Sequence, residues 1–313
     1  MKFALILCLA VIFDSAFGDP QNFPHPVRFI GHVITFWHKI LFTGNDSFLR
    51  GLAVCVMTIF TAGLVVCAVI HVSGGNVIVQ AYIVYSALAW RDLKDETAPV
   101  FFALMNHDIN GARRALSFVV GRDTANLDEA GITKAVIETI GENSIDGAIS
   151  VIFFAALGHV LNYDCGMCVA VWVFRAANTL DSMLGYRSYG RYGTASARLD
   201  DILGFIPARL GGIIIIMAGT LLGGKFREAC RVFMSCRLNH DSPNSAHGES
   251  AFAGVLGVRL GGGAFYGGKF EARPFLNENA NDPAILDIVR AWKVFDVACS
   301  LAAIMVIFLI WTI

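Results

Sequence analysis

The sequence predicts an all-α polytopic membrane protein, and three observations carry that expectation. Hydrophobic residues fill 56% of the 313 positions and charged residues only 16%, whereas soluble domains average about 25% charged residues. Mean hydropathy is +0.60. Long uncharged runs alternate with polar segments, and a helix of about 20 apolar residues crosses a hydrocarbon core of about 30 Å. The expected architecture has about four to seven hydrophobic segments, some of them re-entrant, joined by helical and glycine-rich cytoplasmic loops.

The run 3–13 follows Met1-Lys2 and admits two readings. It is either a signal peptide with Ala16-Phe17-Gly18 as the cleavage site or a first membrane segment that is retained. Residues 51–72 contain no Asp, Glu, Lys or Arg and are long enough to span. The shorter run 77–90 is expected to pair with it as a hairpin. Segment 91–146 is rich in charge and reads as a cytoplasmic helical segment. Runs 147–161, 167–177 and 210–222 are apolar but short for full spans. Segment 225–295 is polar and glycine-rich, and 296–313 is a strong last span. No internal repeat appears, so 1–313 is read as one integral membrane domain.

Charge placement sets the expected topology. Lys and Arg number six in 91–146, three in 181–201 and four in 225–237, and the positive-inside rule assigns all three segments to the cytoplasm. That assignment leaves runs 147–177 or 210–222 re-entrant, paired, or covered by protein, where irregular backbone at membrane depth is tolerated. A net charge of −1 gives no nucleic-acid footprint. The 8 cysteines are scattered. The CxxC of Cys165 and Cys168 has no partner ligands in view, so neither a disulfide framework nor a zinc site is expected.

Four polar constellations could carry chemistry. The first begins at Gly121-Arg122-Asp123-Thr124 and continues as a helix capped by Thr124 or Asn126. Along it Lys134, Glu138, Glu142 and Asp146 stand four apart. Such a stripe is either a solvated face laced with ion pairs or a functional set at the membrane edge, where acids are costly unless paired or bound to a cation. The second is Asn178-Thr179-Leu180-Asp181 through Tyr186-Arg187. Asn178 and Asp181 share a helix face and supply oxygen ligands of the kind Mg²⁺ takes; the alternative is a plain helix end at Gly185. The third, Arg198-Leu199-Asp200-Asp201 with Pro207-Ala208-Arg209, joins paired aspartates to arginines that suit phosphate, or else marks an interfacial charge cluster. The fourth runs from His240-Asp241-Ser242-Pro243-Asn244 through Glu249 to Gly261-Gly262-Gly263 and Tyr266-Gly267-Gly268-Lys269. Glycine-rich backbone can approach phosphate, but neither a Walker A nor a dinucleotide fingerprint is present, and close helix packing explains small residues equally well.

Taken together, these stretches resemble the cobalamin-biosynthesis CbiB/CobD-type membrane proteins, the adenosylcobinamide-phosphate synthases. The matching segments are Gly18-Asp19-Pro20 with His25-Pro26-Val27, VGRDTANLD, AVIETIGENSIDG, NTLDSMLGYR, ARLDDILGFIPARL, SPNSAHGESAFAGVLGVRLGG and YGG, in the family's order over nearly the whole chain. Two positions depart from the pattern: Ile149-Ser150-Val151 lacks an expected proline, and His159 stands where a second glycine often follows Gly158.

The resemblance implies a retained N-terminal segment and a multi-pass protein of a bacterial or archaeal cytoplasmic (inner) membrane, its site facing the cytoplasm. It implies ATP-dependent amide formation between a propionate of adenosylcobyric acid, a corrinoid, and aminopropanol phosphate or a similar amino alcohol. ATP is then a co-substrate and Mg²⁺ the cofactor. Other membrane cobamide-assembly enzymes are possible partners alongside the lipid bilayer. On that basis Glu138, Glu142, Asp146 and Asp181 are the expected catalytic groups, and Asp181, Asp200 and Asp201 the metal ligands. Arg122, Asn143, Asn178, Arg187, Arg198, Arg209, Ser242, Asn244 and Lys269 are the expected substrate and phosphate contacts. The alternatives are a membrane transporter, or a non-catalytic corrinoid-binding or AmpE-like membrane protein. A transporter places its acids mid-span, whereas these cluster at segment ends.

Overall fold

The computed structural model describes residues 1–19, 25–42, 44, 47–161 and 165–312. Pro20 of the expected Gly-Asp-Pro motif and the side chain of Arg187 lie outside the described residues. The chain divides into two compact units, one formed by 1–89, 150–205 and 303–313 and the other by 90–149 and 206–302. The described elements are almost all helical, as the composition predicts. Among the described residues four helices are long and apolar enough to cross a membrane: Phe48–Val72, Glu129–Leu161, Gly190–Leu221 and Leu286–Thr312. The uncharged run 51–72 is the body of the first, and 296–313 extends backward to Leu286 in the last.

In the first unit, α1 (Lys2–Phe17) packs against α4 (Val77–Tyr85), and α3 (Phe48–Val72) against α9 (Gly166–Leu184). Helix α2 (Pro26–Leu41) starts at His25, whose ring accepts from the Val27 amide at 3.3 Å, with Pro26 at the first position. That position tolerates proline because its N–H would be unpaired in any case. Helix α8 (Ser150–Leu161) packs on α9. Gly158 is required at that crossing, since a Cβ there would strike the Gly166 carbonyl.

In the second unit, α5 (Trp90–Met105) is tied to α13 (Leu286–Thr312). Asp296 accepts from Trp90 Nε1 at 2.8 Å and from Lys94 Nζ at 2.8 Å, and Trp292 Nε1 donates to Thr97 at 2.9 Å. Helix α6 (Ile109–Leu116) leads to α7 (Glu129–Asn143). The cap of α7 is Asp128, which accepts from the Gly131 amide at 2.8 Å. The expected cap Thr124 instead donates to the Arg113 carbonyl at 3.0 Å, so the helix starts one turn later than the sequence suggests. Helix α7 runs into a π-helical segment, Ser144–Ile149, and then into α8. By length and composition α7 is the first part of the candidate span Glu129–Leu161, and its Ile132, Val136, Ile137 and Ile140 are buried within the protein.

Helix α10 (Gly190–Leu221) contributes its second half to this unit, followed by α11 (Phe226–Cys236) and α12 (Ser245–Leu256). Every residue of α12 after Ser245 is buried, His247, Glu249 and Ser250 among them. It lies so close to α7 that a Cβ on Gly248 would fall on the Gly141 carbonyl. The glycine-rich stretch then forms two small antiparallel ladders: β1 (Leu260–Gly261) with β4 (Phe275–Leu276), and β2 (Ala264–Tyr266) with β3 (Lys269–Glu271) in the register Phe265 to Phe270. The β2–β3 turn is Gly267-Gly268, both at positive φ (56° and 78°), the geometry that tight hairpins favour.

Candidate functional site

The most concentrated polar chemistry lies in the second unit, around α7 and α12. Arg122, Glu138, Asn239, His240, Glu249 and Arg273 line a cleft closed on one side by the backbone of Gly261, Gly263 and Ala264. Its free volume is about 10 Å³, room for about one water molecule.

Glu138 is held on both oxygens. Oε2 meets Arg122 Nη1 at 2.6 Å, and Oε1 accepts from the Gly261 amide at 2.7 Å. The carboxylate is 4% exposed, so this pair is a buried one whose charges depend on each other. Arg122 is itself placed by its neighbour. Asp123 accepts from the amides of Gly267 and Gly268 at 3.2 and 2.7 Å, and its own amide donates to the Phe265 carbonyl at 2.8 Å. The glycine amides that the sequence offered for phosphate are therefore engaged by carboxylates of the first motif. Lys269, on the adjoining strand, is exposed.

The stripe of acids on α7 turns inward rather than to solvent. Lys134 is half-buried with its ammonium over the Phe275 ring at 5.8 Å. Glu142 is hydrogen-bonded by the Ser245 side chain at the start of α12. Asn143 is exposed and donates to the Thr139 carbonyl at 3.0 Å. Asp146 is half-buried within the π segment.

Glu249, one turn into α12, is the group this region perturbs most. Burial, followed by the nearby Glu138 and Glu142 carboxylates, pushes its carboxyl well above the usual range, against the pull of Arg122 and Arg273. A carboxyl kept neutral by burial and like charge is a suitable proton donor or acceptor near neutral pH. His240 accepts from Arg273 Nη1 at 2.8 Å. Burial and that guanidinium lower its pKa to about 4, leaving a neutral imidazole. The sequence named His240 and Glu249 only within the fourth polar stretch, without a role, and did not single out Arg273. All three arrive through tertiary contacts, and the only local signal was the polar interruption of an apolar helix at Glu249.

On the other flank of α12, Arg209 Nη1 donates to Asn244 Oδ1 at 3.2 Å. Ser242 serves its own loop: its amide donates to His240 Nδ1 and its hydroxyl accepts from the Asn244 amide, each at 3.3 Å.

The remaining expected residues belong to the first unit. Asn178 on α9 and Asp200 on α10 meet, with Nδ2 donating to Oδ1 at 3.4 Å. Asp181 stands one turn beyond Asn178 and its carboxylate lies against Gly185, where a Cβ would collide with it. Arg198 is largely exposed, 3.9 Å from Asp201. Asp181, Asp200 and Asp201 are all half-buried.

Two carboxylates and an amide oxygen are hard oxygen donors, which suits Mg²⁺ held by one or two protein carboxylates with waters and substrate phosphate completing the shell. Among the described residues no three His, Cys, Asp or Glu side chains are arranged as a complete protein cage, which suits zinc less well.

Comparison with known proteins gives a consistent picture. A family model described as CobD/Cbib protein matches residues 7–295. The chain is 41% identical to a cobalamin biosynthesis protein CobD of Pelobacter propionicus over 87% of this chain and 84% of the relative. It is 34% identical to a CobD of Clostridium perfringens over 95% of each. With a cobalamin biosynthesis protein CbiB of Salmonella typhimurium it shares 36% identity over 97% of this chain and 96% of the relative. No solved structure matches the chain.

Proposed function

This chain belongs to the CobD/CbiB family, and from that premise we propose that it is a membrane-bound enzyme of cobalamin biosynthesis. Its reaction joins a propionate carboxylate of adenosylcobyric acid to the amine of aminopropanol phosphate, or a similar amino alcohol, at the expense of ATP. The single observation that supports this reading best is the buried Arg122–Glu138–Glu249–Arg273 cleft. It is a charge-rich, water-poor set of the kind needed where phosphoryl charge develops and a proton must move.

The chemistry explains the residue types. A carboxylate is a poor electrophile, so the γ-phosphoryl group of ATP is transferred to one of its oxygens and ADP departs. The amine lone pair then attacks the acyl carbon, and inorganic phosphate leaves with an oxygen from the original carboxylate. The amine sheds a proton during this step. Glu249 is suited to carry it, because its raised pKa lets it take up and release a proton near neutral pH. Arg122 and Arg273 offset phosphoryl charge. Glu138 fixes Arg122 and the Gly261 amide and acts as a positioning residue, since both its oxygens are occupied. A space of about one water holds no phosphoryl group, so substrate entry requires the cleft to widen.

Asp181, Asp200 and Asn178 would hold Mg²⁺, which supplies Lewis-acid neutralisation of phosphate oxygens. The reading places the protein in a bacterial or archaeal cytoplasmic membrane with the polar segments inside, following its Lys and Arg distribution. The test is direct. Purified protein in detergent receives adenosylcobyric acid, aminopropanol phosphate, Mg²⁺ and ATP, and amide product and ADP are both quantified. Equimolar formation supports the ligase; corrinoid binding without ATP consumption or amide would replace it with a non-catalytic binder or a transporter.

A further inference from the structure

The buried His247 is at odds with its surroundings. Its side chain is wholly inaccessible, and neither ring nitrogen makes a hydrogen bond of good geometry, the Asn244 backbone being the one neighbour that favours a proton on the ring. Arg237 Nε is likewise buried and unpartnered. A neutral imidazole carries one donor and one acceptor, a guanidinium only donors, and buried polar groups are ordinarily satisfied. Arg209 and Arg237 are both near enough to His247 to disfavour its protonation, which after burial lowers its pKa to about 4. Three basic side chains thus share one corner of the second unit, two of them with unmet donor positions.

Three helices build the corner. Gly212 of α10 lies against the Phe233 ring of α11 and the His247 carbonyl of α12, and the Phe233 and His247 rings meet at 5.7 Å. Asn244, at the N-terminal cap of α12, makes no side-chain cap; its carbonyl oxygen instead accepts from Arg209. The start of α12 therefore adds its positive end to the two guanidinium groups. Of the four basic residues in 225–237, Arg237 is the one that acts on His247 and Arg209. His247 and Glu249 are two residues apart on a helix, so they face different sides, and this corner is separate from the Arg122–Glu249 cleft.

We propose that Arg209, Arg237 and His247, with the N-terminus of α12, form a second anion pocket that takes a phosphoryl group, that of the phosphorylated amine. A phosphate monoester supplies several acceptor oxygens, enough for Arg237 Nε, a ring N–H of His247 and Arg209 together. The assignment of the amine rests on the ligase reading; the presence of an anion pocket does not.

The experiment uses the full-length protein in lipid nanodiscs and measures binding of aminopropanol phosphate, inorganic phosphate and a non-hydrolysable ATP analogue, with Mg²⁺ present. Wild type, Arg237→Gln and Arg237→Lys are compared, with helical content as the folding check; His247→Gln is the second variant should the Arg237 changes fail to fold. The expected result is at least a 10-fold loss of aminopropanol phosphate and inorganic phosphate affinity in R237Q, with R237K no better because lysine lacks Nε–H, and ATP-analogue affinity within 2-fold. Loss confined to the ATP analogue would overturn the amine assignment and give the pocket to the nucleotide. Unchanged phosphate affinity in folded variants would overturn the pocket and leave the ligase reading standing. A wild type that binds neither the phosphates nor the ATP analogue would overturn the ligase reading as well.

Discussion

The acids of the two units differ in what surrounds them, although the residue types are the same. In the second unit Glu138 and Glu249 are buried, and Glu142 half-buried, among Arg122, Arg273, backbone amides and one another. In the first unit Asp181, Asp200 and Asp201 are half-buried beside the amide of Asn178 and the exposed Arg198. Burial makes the first set structurally interdependent and raises the proton affinity of Glu249. Partial exposure leaves the second set open to solvent, the setting a partly hydrated Mg²⁺ requires. On the proposed reading, one set would move protons and position arginine, and the other would bind the cation.

The largest effect that would sharpen this contrast is on stability. Arg122→Ala strands the Glu138 carboxylate, and the folded state should lose about 3–5 kcal/mol, the usual result of removing one partner of a buried ion pair. Denaturant unfolding in detergent checks it, and a loss below about 1 kcal/mol would place the Arg122–Glu138 pair in the solvated class. Next comes turnover. Asp181→Asn and Asp200→Asn should each lower kcat by about 100-fold or more, since a lost metal ligand removes several kcal/mol of transition-state stabilisation, while stability stays within about 0.5 kcal/mol as for ordinary surface changes. Equal stability losses in both units would erase the distinction.

A third outcome reads the pH dependence. The folded Glu249 carboxyl is raised above its unfolded value, so between the two the folded state holds more protons and stability falls as pH rises. The fall begins near the ordinary glutamate value of about 4.3, with a slope of at most about 1.4 kcal/mol per pH unit. Glu249→Gln should flatten that slope and gain stability at pH 8 relative to wild type; an unchanged slope would remove Glu249 as its source. The smallest effect is expected at Asp123→Asn, which weakens the exposed carboxylate bonds to Gly267 and Gly268 by about 1 kcal/mol. Hydrogen exchange of those two amides should rise while the exchange of α7 does not.

Much of the fold was legible in the sequence because the bilayer demands long uncharged helices: 51–72 and 296–313 mark candidate spans by composition alone. The Gly267-Gly268 turn was not legible: its glycines read as a phosphate loop or close packing, whereas both take positive φ between β2 and β3. The α7 stripe was visible at i,i+4 spacing, but its direction was not. Spacing fixes a shared face and not what covers it; here α12 and the β1–β4 segment cover it. The role of Glu249 and the presence of Arg273 were hidden for the same reason, since each acquires its environment from residues more than 100 positions away, such as Glu138 and Arg122. The capping error at Thr124 was local. Asp, Thr and Asn are all good caps, and Thr124 was already engaged by Arg113.

The most direct measurement follows oxygen. Adenosylcobyric acid carrying ¹⁸O in its free propionate is turned over with aminopropanol phosphate, ATP and Mg²⁺, and the released inorganic phosphate is weighed by mass spectrometry. Activation of the carboxylate by the γ-phosphoryl group predicts one ¹⁸O in each phosphate for every amide formed. Amide formed with unlabelled phosphate, or labelled corrinoid returned intact beside unspent ATP, would contradict the proposed ligation.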